Sequence, residues 1–118
     1  MKSNLAINCL REFARSQIFR ITRILKEQEQ SEMANALCIS KSMISLIENS
    51  KRSITPQIIN KYIELFKVTE EEFIKTEEKV IDIILSEDGN FIEIAYVVAE
   101  MLLKKGDKNE ALCEAVLR

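Results

Sequence analysis

The chain has 118 residues and a net charge of −2, and it contains no histidine and only two glycines. Apolar residues make up 47% of the sequence, which is enough for one domain or a small domain with an extension. Without histidine, neither a Ser/His or Cys/His catalytic pair nor a typical zinc site can form, and two glycines do not make a phosphate-binding loop. We therefore expect no enzyme activity, no metal site and no cofactor.

The charges are unevenly distributed along the chain. Residues 1–68 hold 11 basic and 6 acidic residues, whereas residues 69–118 hold 6 basic and 13 acidic residues. This favours a first part that faces a polyanion and a second part that faces protein or water, with chance scatter as the alternative. The three widely spaced cysteines, the lack of a visible signal peptide and the short apolar runs predict a cytoplasmic protein with no membrane contact. Its thiols are expected to be reduced and mostly buried.

Helical periodicity runs through the whole chain, and no strand alternation is visible. Residues 4–15 and 17–28 each carry a one-sided apolar stripe, which predicts either one long helix or two. A short helix is predicted over residues 30–37, and the next one follows Ser40, a good N-cap. Further helix starts are predicted from capping signals at Thr55-Pro56, Thr69 with Glu72, Asn90 with Glu93, and Asp107 with Glu110.

Residues 30–49 have the spacing that two crossed helices require. Ala34 is small where the second helix must approach, and the angle between the helices is filled by Leu37, Ile39, Ile44 and Ile47. The outer face of the second helix is polar and has no acid before Glu48. Such a face suits the major groove of DNA, which is about 12 Å wide and admits one helix. A solvated helix surface is the alternative interpretation of the same pattern.

The roles on this face follow from position. Lys41 and Ser42, at the helix N-terminus, are placed to contact base edges, and Ser45 lies one turn further along. Asn49, Lys51 and Arg52 follow the helix and are placed to bind backbone phosphates.

The segment QSEMANALCISKSMISLIENSKRSITPQIINKYIELFKVTEEEF resembles the lambda-repressor-like (Cro, xenobiotic-response-element type) helix-turn-helix family. The resemblance implies a five-helix DNA-binding domain whose recognition helix starts at Ser40, and Ser40 is itself among the residues predicted to bind DNA. It further implies that Gln30 touches a phosphate or base edge, that Lys41, Ser42 and Leu46 face bases, and that Ser45 and Asn49 lie near phosphates. Glu48 is implied to be structural and paired within the domain.

Two positions depart from the family pattern, which usually has glycine where Cys38 and Ser50 stand. A non-glycine residue there either takes the left-handed conformation, at a cost of about 1 kcal/mol, or adopts a different backbone.

The stretch FIEIAYVVAEMLL, residues 91–103, is apolar nearly all round. A helix of this kind needs burial on two sides, so we expect one side to pack on its own domain and the other on a second copy of the chain. Coverage by the last helix of the same chain is the alternative. The residues predicted for dimerisation are Phe91, Ile94, Val98, Met101, Leu102, Leu112 and Val116.

The sequence therefore predicts an all-α protein with two regions. Residues 1–75 are expected to form the helix-turn-helix domain with an additional N-terminal helical segment, and residues 76–118 a C-terminal helical dimerisation or interaction region. The predicted function is that of a homodimeric repressor of bacterial or phage type that recognises a palindromic operator in double-stranded DNA. The alternative is an antitoxin, or a protein-interaction module controlled by an antagonist, that uses the acidic C-terminal helices.

Overall fold

The computed structural model describes residues 2–103, with side chains from residue 6 onward. Within this range the chain is all-α, as predicted, and has no strand. The question left open about residues 4–28 is answered by one continuous first helix. The six helices are α1 (Lys2–Leu25), α2 (Gln30–Leu37), α3 (Lys41–Glu48), α4 (Pro56–Phe66), α5 (Glu70–Leu85) and α6 (Phe91–Leu103).

The predicted helix starts are confirmed where the structure describes them. The Ser40 hydroxyl accepts a hydrogen bond from the amide of Met43, and Thr55 caps α4 ahead of Pro56. Thr69 caps α5 in a complete capping box. Asn90 accepts from the amide of Glu93 at 3.0 Å, as the first half of a box requires. The start predicted at Asp107 lies outside the described residues.

The two positions where the family has glycine keep the left-handed backbone. Cys38 has a φ of 61° and Ser50 a φ of 58°. Two further non-glycine residues, Glu27 and Lys67, also have positive φ, and each follows the end of a helix. The helix ends are therefore formed in the usual left-handed way, although each of these residues carries the steric cost that glycine avoids.

The core is built on α1, which packs against α3, α5 and α6. Its centre is Tyr62 of α4, whose ring lies 4.7 Å from that of Phe19 and 5.4 Å from that of Phe73. The apolar stripe predicted for the first half of α1 does not form core, because Cys9 and Phe13 are exposed. Cys38 is exposed as well, so the expectation of mostly buried thiols is corrected for the two cysteines described.

The C-terminal helix α6 lies against α1 and α5 and closes the same core. The loop before it is tight, since a Cβ at Gly89 would overlap the carbonyl oxygen of Ile83. The predicted division between residues 75 and 76 falls inside α5, and it stays a prediction about function.

The structure changes the expected role of four residues that the sequence suggested for dimerisation. They face α1 and α5 and are almost fully buried in their own chain, namely Ile94, Val98, Met101 and Leu102. Phe91 is the exception, because 49% of its surface is exposed. The other two residues in that prediction, Leu112 and Val116, lie outside the described residues.

Candidate nucleic-acid interface

Helices α2 and α3 form a corner that is sealed by apolar contacts on its inner side. Ala34 of α2 is 2% exposed, and Ile44 and Ile47 of α3 are fully buried. The turn between the helices is closed by the amide of Ile39, which donates to the carbonyl of Ala34 at 2.9 Å. Because α3 is so short, burying these two isoleucines fixes which of its faces points away from the core.

The outward face of α3 carries the residues that the sequence singled out. Lys41 and Ser42, in its first turn, are exposed, and Ser45 is half-buried. Leu46 is 39% exposed although it is apolar. These side chains are accessible to a ligand as large as duplex DNA, and their roles in base readout remain predictions.

The segment after α3 presents Asn49, Lys51 and Arg52, all exposed. Asn49 uses its side-chain amide to donate to the carbonyl of Ser45 at 2.9 Å, so it also caps the end of the helix. Lys51 and Arg52 form no ion pair within the described residues, so both cations are available for phosphates.

Gln30 lies at the start of α2 and is half-buried. Its side-chain amide donates to Oε1 of Glu48 at 3.2 Å, so one of its N–H groups points into the protein. The other polar atoms of the amide are those that a contact with DNA would use. The contact with Glu48 makes Gln30 a link between α2 and α3 in addition to its predicted role.

Glu48 is buried and forms an ion pair that attaches α3 to α1, which agrees with the prediction that it is structural and paired within the domain. Its carboxylate, 3% exposed, receives two hydrogen bonds from the guanidinium of Arg23, from Nε at 2.7 Å and from Nη2 at 3.0 Å. Arg23 also donates to the carbonyl of Gln28 at 3.0 Å. This planar, bidentate arrangement ties α3 to α1 and fixes its orientation.

Sequence reasoning missed Arg23 as a partner in this site. No local pattern links two residues that are 25 positions apart, so the only available signal was the expectation that Glu48 is paired.

A family model described as Helix-turn-helix matches residues 20–73. Residues 20–73 form a helix-turn-helix domain of the lambda-repressor-like family. This helix-turn-helix domain begins near the end of α1 and stops in the first turn of α5, so most of α1 and all of α6 lie outside it. Comparison with curated proteins and with solved structures found no match.

The helix-turn-helix domain identifies the chain as a DNA-binding transcriptional regulator, a class that is generally not enzymatic. Among the described residues, no group of His, Cys, Asp or Glu side chains has the arrangement of a metal site. None of the described helices is long and apolar enough to cross a membrane.

Proposed function

We propose that the protein is a homodimeric, sequence-specific repressor of bacterial or phage type that reads a palindromic operator with α3. The observation that carries this proposal is the exposed N-terminal turn of α3, with Lys41 and Ser42 at the tip of the helix-turn-helix corner. A regulator of this kind acts in the cytoplasm, where the chromosomal or phage DNA lies.

Base readout would come from three side chains of α3 in the major groove. The Lys41 ammonium is a donor only, so it suits the paired acceptors O6 and N7 of guanine. The Ser42 hydroxyl can donate or accept, and the apolar Leu46 can pack on a thymine methyl group. Lys51 and Arg52 would hold the backbone and set the register of α3 in the groove.

Self-association is supported by the outer face of α6. Phe91 is 49% exposed, Ile92 53% and Tyr96 42%, although the opposite face of the same helix is already buried. Neighbouring exposed apolar side chains of this size are typical of a protein contact. A two-fold contact there would supply two recognition helices, which need a separation of about 34 Å to read both halves of a palindrome.

Repression is the simplest mode of action for a small dimer of this kind. A dimer bound across a promoter blocks the access of RNA polymerase without needing any further surface. An activator, in contrast, needs a surface that contacts the polymerase.

The readout is tested by selecting bound duplexes from a random pool and comparing affinities for the selected and for unselected DNA. We expect Lys41→Ala with Ser42→Ala to abolish the preference, since each bidentate base contact discriminates by about 1–3 kcal/mol. The matched control is Lys75→Ala with Ser86→Ala, which removes the same groups from exposed positions on and after α5. Equal preference in the wild type and the α3 variant would refute readout by α3.

Salt titration tests the phosphate contacts separately. The logarithm of the binding constant should fall linearly with the logarithm of the salt concentration, because bound cations displace counterions from DNA. A binding constant that does not change with salt would contradict the proposed use of Lys51 and Arg52.

The dimer is tested with Phe91→Glu combined with Ile92→Glu. Both positions are exposed, so the fold should survive, whereas charges at Met101 or Leu102 would enter the core. Light scattering should show monomers, and the affinity for the selected palindrome should fall. Leu65→Glu with Ile74→Glu, at exposed apolar positions on α4 and α5, is the control and should leave the mass unchanged. Dimers that persist in the α6 variant would exclude this face as the contact.

The same exposed face of α6 favours a second candidate, in which its partner is a toxin or another protein antagonist. This face lies outside the helix-turn-helix domain and in the acidic half of the chain. Under this alternative a small protein co-purifies with the chain, and forming the complex abolishes DNA binding. The Phe91→Glu, Ile92→Glu variant should no longer bind this small protein.

A further inference from the structure

The N-terminal part of α1 precedes the helix-turn-helix domain and runs beside the loop that follows α3. Residues 8–13 of α1 and residues 50–53 of the loop face each other across an open cleft of about 330 Å³. The loop carries Lys51 and Arg52, the two cations proposed to hold the DNA backbone. Any phosphate that enters the cleft therefore also meets α1.

The two walls of the cleft differ in charge. The loop wall offers Lys51 and Arg52, with hydroxyl groups on either side of them in sequence. The α1 wall offers the exposed carboxamide of Asn8 and the carboxylate of Glu12. Arg15 Nη1 lies 3.5 Å from that carboxylate and offsets part of its charge. The cleft thus contains two cations and one amide donor, and its one acid is partly neutralised.

The loop wall is fixed in place before any ligand binds. The buried hydroxyl of Ser16 donates its only proton to the carbonyl of Phe13 at 2.7 Å, so it must accept from Ser50, whose Oγ is also 2.7 Å away. This bond links Ser50, which has a left-handed backbone, to α1. On the other side, the amide of Lys51 donates to the carbonyl of Leu46 at 2.8 Å.

We propose that this cleft binds one phosphate of the DNA backbone, with Asn8 of α1 donating a hydrogen bond beside Lys51 and Arg52. The proposal rests on the proposed function and extends the DNA contact beyond the helix-turn-helix domain. A phosphodiester fits this site because its charged oxygens are acceptors only, and the walls supply N–H and ammonium donors and the hydroxyl of Ser53. Such a contact strengthens binding to every sequence equally.

The first test uses Asn8→Ala and a mixed-sequence duplex in a fluorescence-anisotropy titration. Affinity should fall about tenfold on any duplex, as expected for a lost hydrogen bond to a charged group. The salt dependence should stay unchanged, because a neutral amide displaces no counterion. Asn60→Ala, at an exposed position on α4, is the matched control and should bind like the wild type.

The second test adds a charge at the same place. Asn8→Lys should bind mixed-sequence DNA more tightly and make the slope of the salt plot steeper by about one. Asn60→Lys controls for the general effect of an added positive charge and should produce a smaller change in slope. Equal changes at both positions would overturn the cleft as a phosphate site.

The third test identifies the phosphate itself. In the duplex that the wild type selects, phosphates are replaced one at a time by neutral methylphosphonates. One replacement should weaken the wild type more than Asn8→Ala, since the variant has already lost the Asn8 contact and keeps only those of Lys51 and Arg52. If no replacement affects the two proteins differently, Asn8 does not contact a phosphate.

The outcomes separate this proposal from the proposed function. If the wild type does not bind duplex DNA, the proposed function fails. If the wild type binds and Asn8→Ala binds equally well at every salt concentration, only the cleft proposal fails. Because Asn8 is exposed, circular dichroism should show a fully folded variant in either case.

Discussion

The recognition helix α3 and the C-terminal helices α5 and α6 both pack on α1, but their outer faces differ in polarity. Glu48 of α3 is buried against Arg23, and Glu77 of α5 is buried against Arg15, whose Nε lies 2.6 Å from its Oε2. Both carboxylates are less than 5% exposed. Outside these anchors, α3 shows polar and basic groups, whereas α6 shows Phe91, Ile92 and Tyr96.

The residues that attach a helix to α1 are therefore different from those that determine what the helix binds. A buried ion pair between helices orients an element but carries no information about what its outer face binds. In the proposed function, the outer face of α3 binds DNA and the outer face of α6 binds another protein. Since both elements are anchored to one helix, a partner bound at α6 and a DNA duplex bound at α3 share a single rigid support.

The largest effect is expected from removing one arginine of each anchor. Among the described residues, Arg23→Ala leaves the buried Glu48 with Gln30 as its one remaining side-chain donor. We expect a loss of about 3 kcal/mol in the free energy of unfolding. Arg15→Ala should lose less, about 1–2 kcal/mol, because Arg11 Nε remains 3.8 Å from Glu77. Urea denaturation measures both. Equal losses would mean that the two anchors do not differ in this way.

A pH titration tests the core that the two regions share. Burial raises the pKa of the Tyr62 hydroxyl above its ordinary value of 10.0, and its bond to Thr22 lowers it only in part. The folded protein therefore keeps this proton after the unfolded chain has lost it, and stability declines as the pH rises above about 10. At about pH 11, Tyr62 should have lowered the free energy of unfolding of the wild type by about 1.4 kcal/mol relative to its value near neutral pH.

Tyr62→Phe should lack this part of the alkaline decline, whereas Tyr96→Phe, at an exposed position, should retain it. Because Tyr62 contacts both Phe19 of α1 and Phe73 of α5, the decline should appear in a single cooperative transition. Two separate transitions would show that the two regions unfold independently.

Glycine substitutions compare the stability cost of the left-handed residues next to α3, Cys38 and Ser50, with that of Lys67 in the turn before α5. Cys38→Gly and Lys67→Gly should each raise the free energy of unfolding, measured by urea denaturation, by about 1 kcal/mol, because glycine adopts positive φ without steric cost. Ser50→Gly should gain much less, since it also loses the hydrogen bond to Ser16. A full gain at Ser50 would show that this bond contributes nothing to stability.

The smallest effect is expected from the surface pair that joins α5 and α6. Lys79 Nζ lies 3.5 Å from Glu100 Oε1, but the two side chains are 58% and 72% exposed. Lys79→Ala should change the free energy of unfolding by less than about 0.5 kcal/mol, because solvent screens such pairs. A loss as large as that of Arg15→Ala would mean that the Lys79–Glu100 ion pair, and not only its buried apolar contacts, holds α6 in place.

The local features of this protein were readable from its sequence. The caps at Ser40, Thr55 and Thr69, the corner between α2 and α3, and the exposed position of Lys41 and Ser42 all follow from patterns a few residues long. Such patterns predict structure because a capping hydroxyl acts within one turn, and the spacing of Ile44 and Ile47 defines the inner face of α3.

The tertiary structure decided everything that joins distant parts of the chain. It paired Glu48 with Arg23 and Glu77 with Arg15, and it brought Ser16 to Ser50. It also decided which side of α6 is buried, placing Val98 in the chain's own core and leaving Phe91 outside. An all-round apolar helix has no preferred inner face of its own, so only the packing of α6 against α1 and α5 could choose one.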